Sequence, residues 1–286
     1  MPISAQSFQR VADLARRETA MLYEPGKEYL MEARLLPLAR AAGYADVDSY
    51  LPRIFSDHLE RQRALDALTI NETSWFRDNT PYQAFTDVIL PELLKARAAT
   101  RQISIWSAAC SSGQEAYSLA MLLDQHLPGG WTARITATDV STEMVARVTA
   151  GRYSQVEMNR GLPATQLIKH FTRVGAQWEI SPRLRDMVQA RTMNLAAPFP
   201  PLPRFDLVLL RNVLIYFDLD TKRDILRRVH AVTAPDGYLM LGTAETGLEA
   251  EQHWGRESVG RMQLLRPAPS ATRIPPAVPA TTLTGA

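Results

Sequence analysis

The sequence contains one cysteine, Cys110, in 286 residues. That count excludes an internal disulfide and any cysteine-rich metal site, and it fits a reducing compartment. With no histidine or cation near it in sequence, Cys110 reads as a small buried residue rather than a nucleophile. The five histidines, His58, His126, His170, His230 and His253, show no ligand spacing, and no metal is expected. An excess of charge is also lacking: a net +2 with 22% charged residues gives no field to draw nucleic acid. No run approaches the ~18 apolar residues of a membrane span. Residues 1–20 carry Arg10, Arg16 and Arg17 in a mixed polar pattern and form neither a signal peptide nor an anchor. A soluble, cytoplasmic chain with no membrane insertion is expected.

The triple-glycine dinucleotide fingerprint is missing too. Residues 103–120 nevertheless read as a strand, a small-residue turn and a helix entering at Gly113, which is how an α/β protein opens a cofactor crevice. A plain strand-to-helix connection would look similar. The next strand ends in Asp139, 26 residues beyond Gly113, where a carboxylate can accept from both hydroxyls of a ribose. Asp139 also suits a helix N-cap, although Ser141 can serve as that cap instead.

Helical periodicity fills residues 4–68, with breaks at Glu24-Pro25-Gly26, Ala42-Gly43 and Leu51-Pro52. A further helix over 81–97 leads into strands at 103–107, 135–139, 189–193, 205–210, 238–243 and 262–266. Helices over 113–126, 141–150 and 220–233 alternate with them. This alternation predicts an α/β fold with a doubly wound, mostly parallel sheet behind an N-terminal all-α domain. We expect the helical domain at 1–70, the sheet domain at 71–266 and a Pro-, Ala- and Thr-rich disordered tail at 267–286. Within the sheet domain a small inserted subdomain, about 151–190, holds a short helix and a β-hairpin turning at Gly175.

Two polar stretches stand out. Asn71-Glu72-Thr73-Ser74-Trp75-Phe76-Arg77-Asp78 lies between the two domains, and its spacing alone favours a helix cap with a Trp-Phe staple. Arg211 and Asn212 follow a buried strand at its carboxyl end, the place where open α/β sheets bind ligands. They can equally tie down the loop before Asp218, and Tyr216 can be a core tyrosine.

Taken together, Asn71 to Asp78, Trp106 to Met121, Ala137-Thr138-Asp139, Asn194-Leu195, Arg211 to Asp218 and Gly242 to Glu245 resemble, in this order, the signature blocks of the CheR-type chemotaxis receptor methyltransferases. The resemblance covers nearly the whole chain except the tail. It implies the S-adenosylmethionine-dependent methyltransferase fold. It also implies an enzyme that methylates glutamate side chains on the cytoplasmic helices of methyl-accepting chemotaxis receptors, leaving S-adenosylhomocysteine. Carried over by position, cofactor contacts fall on Asn71, Thr73, Arg77, Glu115, Asp139, Asn194, Leu195, Arg211 and Asn212, while Arg77 and Tyr216 match the residues nearest the transferred methyl.

The chain departs from the family pattern where Ala109, Gln114 and Ala116 replace a glycine, a glutamate and a proline. In the last block, Thr243 and Ala244 stand between Gly242 and Glu245 where a histidine and a serine are common. The hairpin around Gly175 is shorter than the one that in the family accompanies docking on a receptor pentapeptide, which suggests a pentapeptide-independent enzyme; separately, a monomer is expected. Lys27, Arg34 and Arg40 can meet acidic receptor helices or simply form a solvated face. A methyltransferase for another acceptor and a non-catalytic cofactor sensor are the rival readings. The former lacks support from any N-P-P-Y-like tetrapeptide or basic stripe.

Overall fold

Ser4 starts the first helix by accepting a hydrogen bond from the Ser7 amide, and four helices then follow within sixty-odd residues: α1 (Ala5–Thr19), α2 (Glu28–Ala41), α3 (Val47–Ser56) and α4 (His58–Leu68). The computed structural model describes residues 2–245, 253–259 and 262–268. Phe8, Val11, Leu14, Met31, Leu35, Tyr50, Leu51, Ile54 and Leu68 form the core of this helical unit. The break expected at Leu51-Pro52 is absent, because Pro52 sits inside α3. Proline removes one bond to the carbonyl four residues back, but Tyr50, Leu51 and Ile54 are fully buried and hold the helix across it. Asp57 makes the real break, accepting from the Leu59 and Glu60 amides at the start of α4. Arg34 turns inward, donating to the Leu68 and Thr69 carbonyls at 2.8 Å each, so it caps the end of α4.

The next helical stretch is α5 (Thr80–Ala84), a π-helical turn (Phe85–Ile89) and α6 (Leu90–Ala96), where sequence periodicity indicated one regular helix. Then come β1 (Gln102–Ala108), α7 (Gln114–His126), β2 (Thr132–Asp139) and α8 (Thr142–Ala150). A small unit follows with β3 (Arg152–Ser154), α9 (Gln155–Met158), α10 (Ala164–His170), β4 (Phe171–Val174) and β5 (Gln177–Ile180). The chain finishes with α11 (Pro182–Met187), β6 (Val188–Thr192), β7 (Phe205–Leu210), α12 (Leu219–Val232), β8 (Thr233–Leu241), β9 (Trp254–Val259) and β10 (Met262–Pro267).

The main sheet has the order β6-β2-β1-β7-β8-β10-β9. Its first five strands are parallel, and β10 and β9 pair antiparallel at the far edge. β8 begins five residues earlier than the sequence indicated, because a register shift opposite Phe205 and Leu207 admits Pro235 and Gly237 into the strand. β9 was not expected: its pattern of one buried residue at each end around exposed ones carries no alternation. Leu119, Ile135, Leu207 and Met240 belong to the core on one face, and Trp106, Val208, Ile225 and Leu239 to the core on the other. The second, three-stranded sheet has the order β3-β5-β4, and its hairpin turns at Gly175 as the sequence indicated. Of the tail expected from residue 267, Pro267 ends β10 and the part from residue 269 lies outside the described residues. Among the described residues no helix is long and apolar enough to cross a membrane, and no group of three or more potential ligands is placed to hold a metal.

Candidate functional site

Strand order reverses between β1 and β7: the chain runs from β1 outward through β2 to β6, then returns to build β7 and β8 on the other side. Such a reversal opens a crevice at the carboxyl ends of the strands. Here it holds a cleft lined by residues from both the helical unit and the sheet domain. All ten residues singled out from the sequence, Asn71, Thr73, Arg77, Glu115, Asp139, Asn194, Leu195, Arg211, Asn212 and Tyr216, line this one cleft.

The turn after β1 is built from left-handed residues, with Ala109 at φ 60°, Ser111 at φ 49° and Gly113 at φ 96°. Gly113 suits this φ, which L side chains rarely adopt, and a Cβ there would also crowd Val148 Cγ2 at 3.0 Å and Tyr153 Oη at 3.2 Å. Burial, with Asp139 and Glu115 adding to it, pushes the Cys110 thiol well above its usual value, so it stays protonated in the wall of the cleft.

Asp139 ends β2. Its Oδ2 accepts from the Ser111 amide at 2.8 Å and its Oδ1 from the Ser141 amide at 3.0 Å. Ser141 caps α8 by accepting from the Met144 amide, which settles the choice left open by the sequence. Each Asp139 oxygen therefore keeps lone-pair capacity for a ligand. Burial raises its pKa, against the pull of the Ser141 and Ser111 amides.

Arg211 directly follows β7 and is 6% exposed. Its guanidinium donates to Glu115 Oε2 at 3.0 Å, Asp78 Oδ2 at 2.7 Å and the Arg77 carbonyl at 3.1 Å. Glu115 in turn accepts from Ser107 Oγ at 2.8 Å. Burial opposes the charge on Arg211, but Glu115, Tyr82 and Asp78 outweigh it and its pKa is raised. Rather than tying down the loop before Asp218, Arg211 fastens the 77–78 segment to the end of the sheet. Asp78 belongs to the first signature block, yet nothing in its spacing marks it as the partner of an arginine 133 residues away.

Residues 71–74 are irregular rather than a helix cap. The local reason is that α5 starts only at Thr80, behind Phe76, Asp78 and Asn79, all at positive φ. Trp75 pins the stretch from behind: its amide donates to the Arg160 carbonyl and its indole N–H to the Glu157 carbonyl, with Tyr153 and Phe171 packed edge-on at 4.8 and 5.4 Å. In front, the Asn71 carbonyl accepts from Ser111 Oγ at 2.9 Å, and Arg77 donates to the Glu72 carbonyl at 3.0 Å.

Asn212, at φ 58°, opens the loop after β7. The carboxylate of Glu245 holds that loop by accepting from the amides of Asn212, Val213, Leu214 and Gly242 at 2.6–2.9 Å. Sequence reasoning assigned Glu245 no role, because its partners are backbone groups that no side-chain pattern reveals. Tyr216 closes the short 3-10 turn Leu214–Tyr216 and is half-buried. Burial raises its phenol pKa, with the charge of Arg77 pulling the other way. Asn194 donates to the Glu18 carbonyl at 2.7 Å and accepts from the Ala196 amide at 2.9 Å. Val140, Met193, Leu195 and Phe217 add apolar lining to the same cleft. The cleft thus combines a buried acid able to take a diol, an apolar wall for a purine and a carboxylate–arginine network, a donor set that fits a nucleoside carrying an amino-acid tail.

Residues 71–261 match the family model described as CheR methyltransferase, SAM binding domain, and residues 6–69 match CheR methyltransferase, all-alpha domain. The chain is 40% identical over 237 residues to chemotaxis protein methyltransferase 1 of Pseudomonas aeruginosa, covering 80% of this chain and 85% of that one. It is 36% identical over 248 residues to the chemotaxis protein methyltransferase Cher2 of Pseudomonas putida, covering 83% and 89%. With the chemotaxis protein methyltransferase of Escherichia coli it shares 30% identity over 264 residues, 89% of each chain.

Proposed function

The chain belongs to the CheR methyltransferase family, and from that premise we propose that it esterifies glutamate side chains on the cytoplasmic helices of methyl-accepting chemotaxis receptors. S-adenosylmethionine supplies a methyl group on a sulfonium, open to in-line attack by a carboxylate oxygen. The products are a γ-glutamyl methyl ester and S-adenosylhomocysteine. Because the acceptor lies on cytoplasmic helices, this reading places the enzyme in the cytoplasm.

The observation that carries this reading is that Arg77 and Tyr216 line one cleft together with the acid–arginine network of Glu115, Asp78 and Arg211. A glutamate acceptor needs no general base, since its reference pKa of ~4.3 leaves it ionised at neutral pH. The residues of the cleft then have only to align and desolvate it, and orientation alone is worth ~7–11 kcal/mol. Carboxylate and sulfonium both lose charge on reaction, so a strong countercharge on either would favour the ground state. Arg77 lines the cleft and donates from one guanidinium nitrogen to the Glu72 carbonyl. Its role is to orient the acceptor or the cofactor. Tyr216 keeps its proton, because burial raises its pKa, and it closes the site as a neutral donor. Asp139, Asn194 and Leu195 hold the nucleoside, while Asn71, Thr73, Glu115, Arg211 and Asn212 hold or frame the amino-acid end.

The short hairpin between β4 and β5, turning at Gly175, supports a pentapeptide-independent enzyme. The test is methyl transfer from radiolabelled S-adenosylmethionine to a receptor cytoplasmic fragment of the same organism, scored as base-labile methanol. Labile counts that vanish when the receptor glutamates become alanine are expected, with or without a receptor C-terminal pentapeptide. Base-stable label on another substrate would point to a different acceptor, and tight cofactor binding without transfer would point to a sensor.

A further inference from the structure

Tyr82, on α5, lies against Arg211 but outside the lining of the cleft. Asp78 and Asn79, both at positive φ, set the start of that helix, and the Tyr82 amide donates to the Asn79 carbonyl at 2.9 Å. The side chain is 3% exposed, its ring meets Phe76 edge-on at 5.2 Å, and the Arg211 guanidinium lies 6.0 Å from the ring centre. Among the described residues the Tyr82 hydroxyl has no hydrogen-bond partner, and neither has Arg211 Nε, although both atoms are buried. Nearly every buried polar group in a folded protein finds a partner. A phenylalanine would fill this place against Phe76 and leave no hydroxyl unmet.

These two unmet groups, one a donor and the other able to accept, belong to the network that faces the cofactor. Arg211 donates from its other two nitrogens to Glu115, Asp78 and the Arg77 carbonyl. The neighbouring Ser118 hydroxyl already gives its proton to the Gln114 carbonyl at 2.7 Å and accepts from the Phe76 amide at 3.1 Å, so it has none for Tyr82. Burial, with the charge of Glu115 adding to it, pushes the Tyr82 phenol up against the pull of Arg211 and Ser118. The oxygen stays protonated and keeps lone pairs for a cationic donor. Glu115 and Asp78 put two negative charges on one guanidinium. The ammonium and carboxylate of an amino acid arriving beside them compete for these same groups, and the guanidinium can shift toward the newcomer at least cost if its Nε–H gains an acceptor.

We propose that Tyr82 is a positioning residue for the amino-acid end of the cofactor: its hydroxyl accepts from Arg211 Nε when that end is bound, and so fixes the plane of the guanidinium. This role follows only if Glu115 and Arg211 hold the amino-acid end, as proposed above, and it adds a side chain outside the cleft on which they depend. The nucleoside end, assigned to Asp139, Asn194 and Leu195, does not depend on Tyr82.

The test compares S-adenosylhomocysteine with 5′-methylthioadenosine, which keeps the nucleoside and lacks the amino acid. By isothermal titration Tyr82→Phe is expected to bind S-adenosylhomocysteine about tenfold more weakly, as for one hydrogen bond to a charged group, and 5′-methylthioadenosine within about twofold of the parent. The thermal midpoint of the free variant is expected to equal or exceed that of the parent, because an unmet buried hydroxyl has gone. Undiminished affinity of Tyr82→Phe for S-adenosylhomocysteine would overturn the proposal, and so would equal losses for both ligands, the mark of a merely structural role. A lowered midpoint would overturn it too, by showing that the hydroxyl already has a partner in the free protein. Glu115→Gln separates this role from the assignment beneath it. A loss confined to S-adenosylhomocysteine in Glu115→Gln, with none in Tyr82→Phe, would overturn the role of Tyr82 alone. No selective loss in either variant would overturn the assignment of the amino-acid end as well.

Discussion

At the scale of single residues, the cleft is a set of compromises between burial and charge. Asp139 shows the clearest case, since burial lifts its pKa above the usual 3.8 while the backbone amides of Ser141, Ser111 and Val140 pull it down. The anion is the form that accepts from a diol. Affinity for S-adenosylhomocysteine should thus be full at neutral pH and fall as pH drops through a range above the ordinary carboxylate value. For folding the sign is opposite: the folded chain favours the neutral acid, so this residue lowers stability as pH rises from the unfolded pKa to the folded one. Titrations carried downward from neutral pH should show the affinity loss setting in at a higher pH than an ordinary aspartate would give, and Asp139→Asn should bind weakly at every pH without that dependence. A second residue tests the family departure in the β1 turn. Ala109 sits at φ 60°, where an L-residue pays ~1–2 kcal/mol. Glycine would remove that strain at a cost of ~0.4–1 kcal/mol in unfolded-chain entropy. Ala109→Gly should therefore raise stability by about 0.5–1 kcal/mol in urea unfolding, and a loss would show that the left-handed turn is not what limits this position.

At the scale of elements, the 71–78 segment depends on the small sheet behind it. Gly161 has φ 92°, and a Cβ there would lie 2.3 Å from the Trp75 carbonyl oxygen. Gly161→Ala should cost ~1–3 kcal/mol through strain and displacement of Trp75. It should also weaken cofactor binding, because Thr73 and Arg77 are each two residues from Trp75. Unchanged urea stability would remove the link between the two elements. The same segment marks how far the sequence could be read. The β1 turn, the Asp139 position and the parallel sheet were legible because periodicity and small residues are local signals, and the signature blocks located the site residues. Besides β9 and the role of Glu245, the irregular 71–74 backbone, the π-helical turn at Phe85–Ile89 and the start of β8 at Thr233 were not. Trp75, which holds the irregular backbone, bonds to the Arg160 and Glu157 carbonyls, and Thr233 pairs with Phe205, partners that no window of neighbouring residues contains.

At the scale of the whole molecule, the apolar interior is divided. One cluster, from Ile3 to Leu68, lies wholly in the helical unit, and the other two flank the sheet. Ala20, on the connector between α1 and α2, packs against one of the sheet's cores. The remaining ties named between the units are polar: Thr142 to Asp66 at 2.8 Å, Asn194 to the Glu18 carbonyl, Leu22 to the Tyr216 carbonyl, and Arg16 to Asp218 at 4.0 Å with both side chains well exposed. Exposed pairs of this kind contribute ~0–1 kcal/mol, too little to make two separate cores melt as one. Calorimetry of the free protein should accordingly show a transition broader than two-state, with a calorimetric enthalpy above the van't Hoff value. Saturating S-adenosylhomocysteine at about a hundred times its Kd adds ~2.7 kcal/mol to the state that binds it. If only the sheet domain gained that energy, the two components would move further apart. A cleft walled by both units predicts that they merge into one sharper transition at higher temperature. A single two-state transition in the free protein would mean that the polar ties and Ala20 couple the units far more strongly than their geometry indicates.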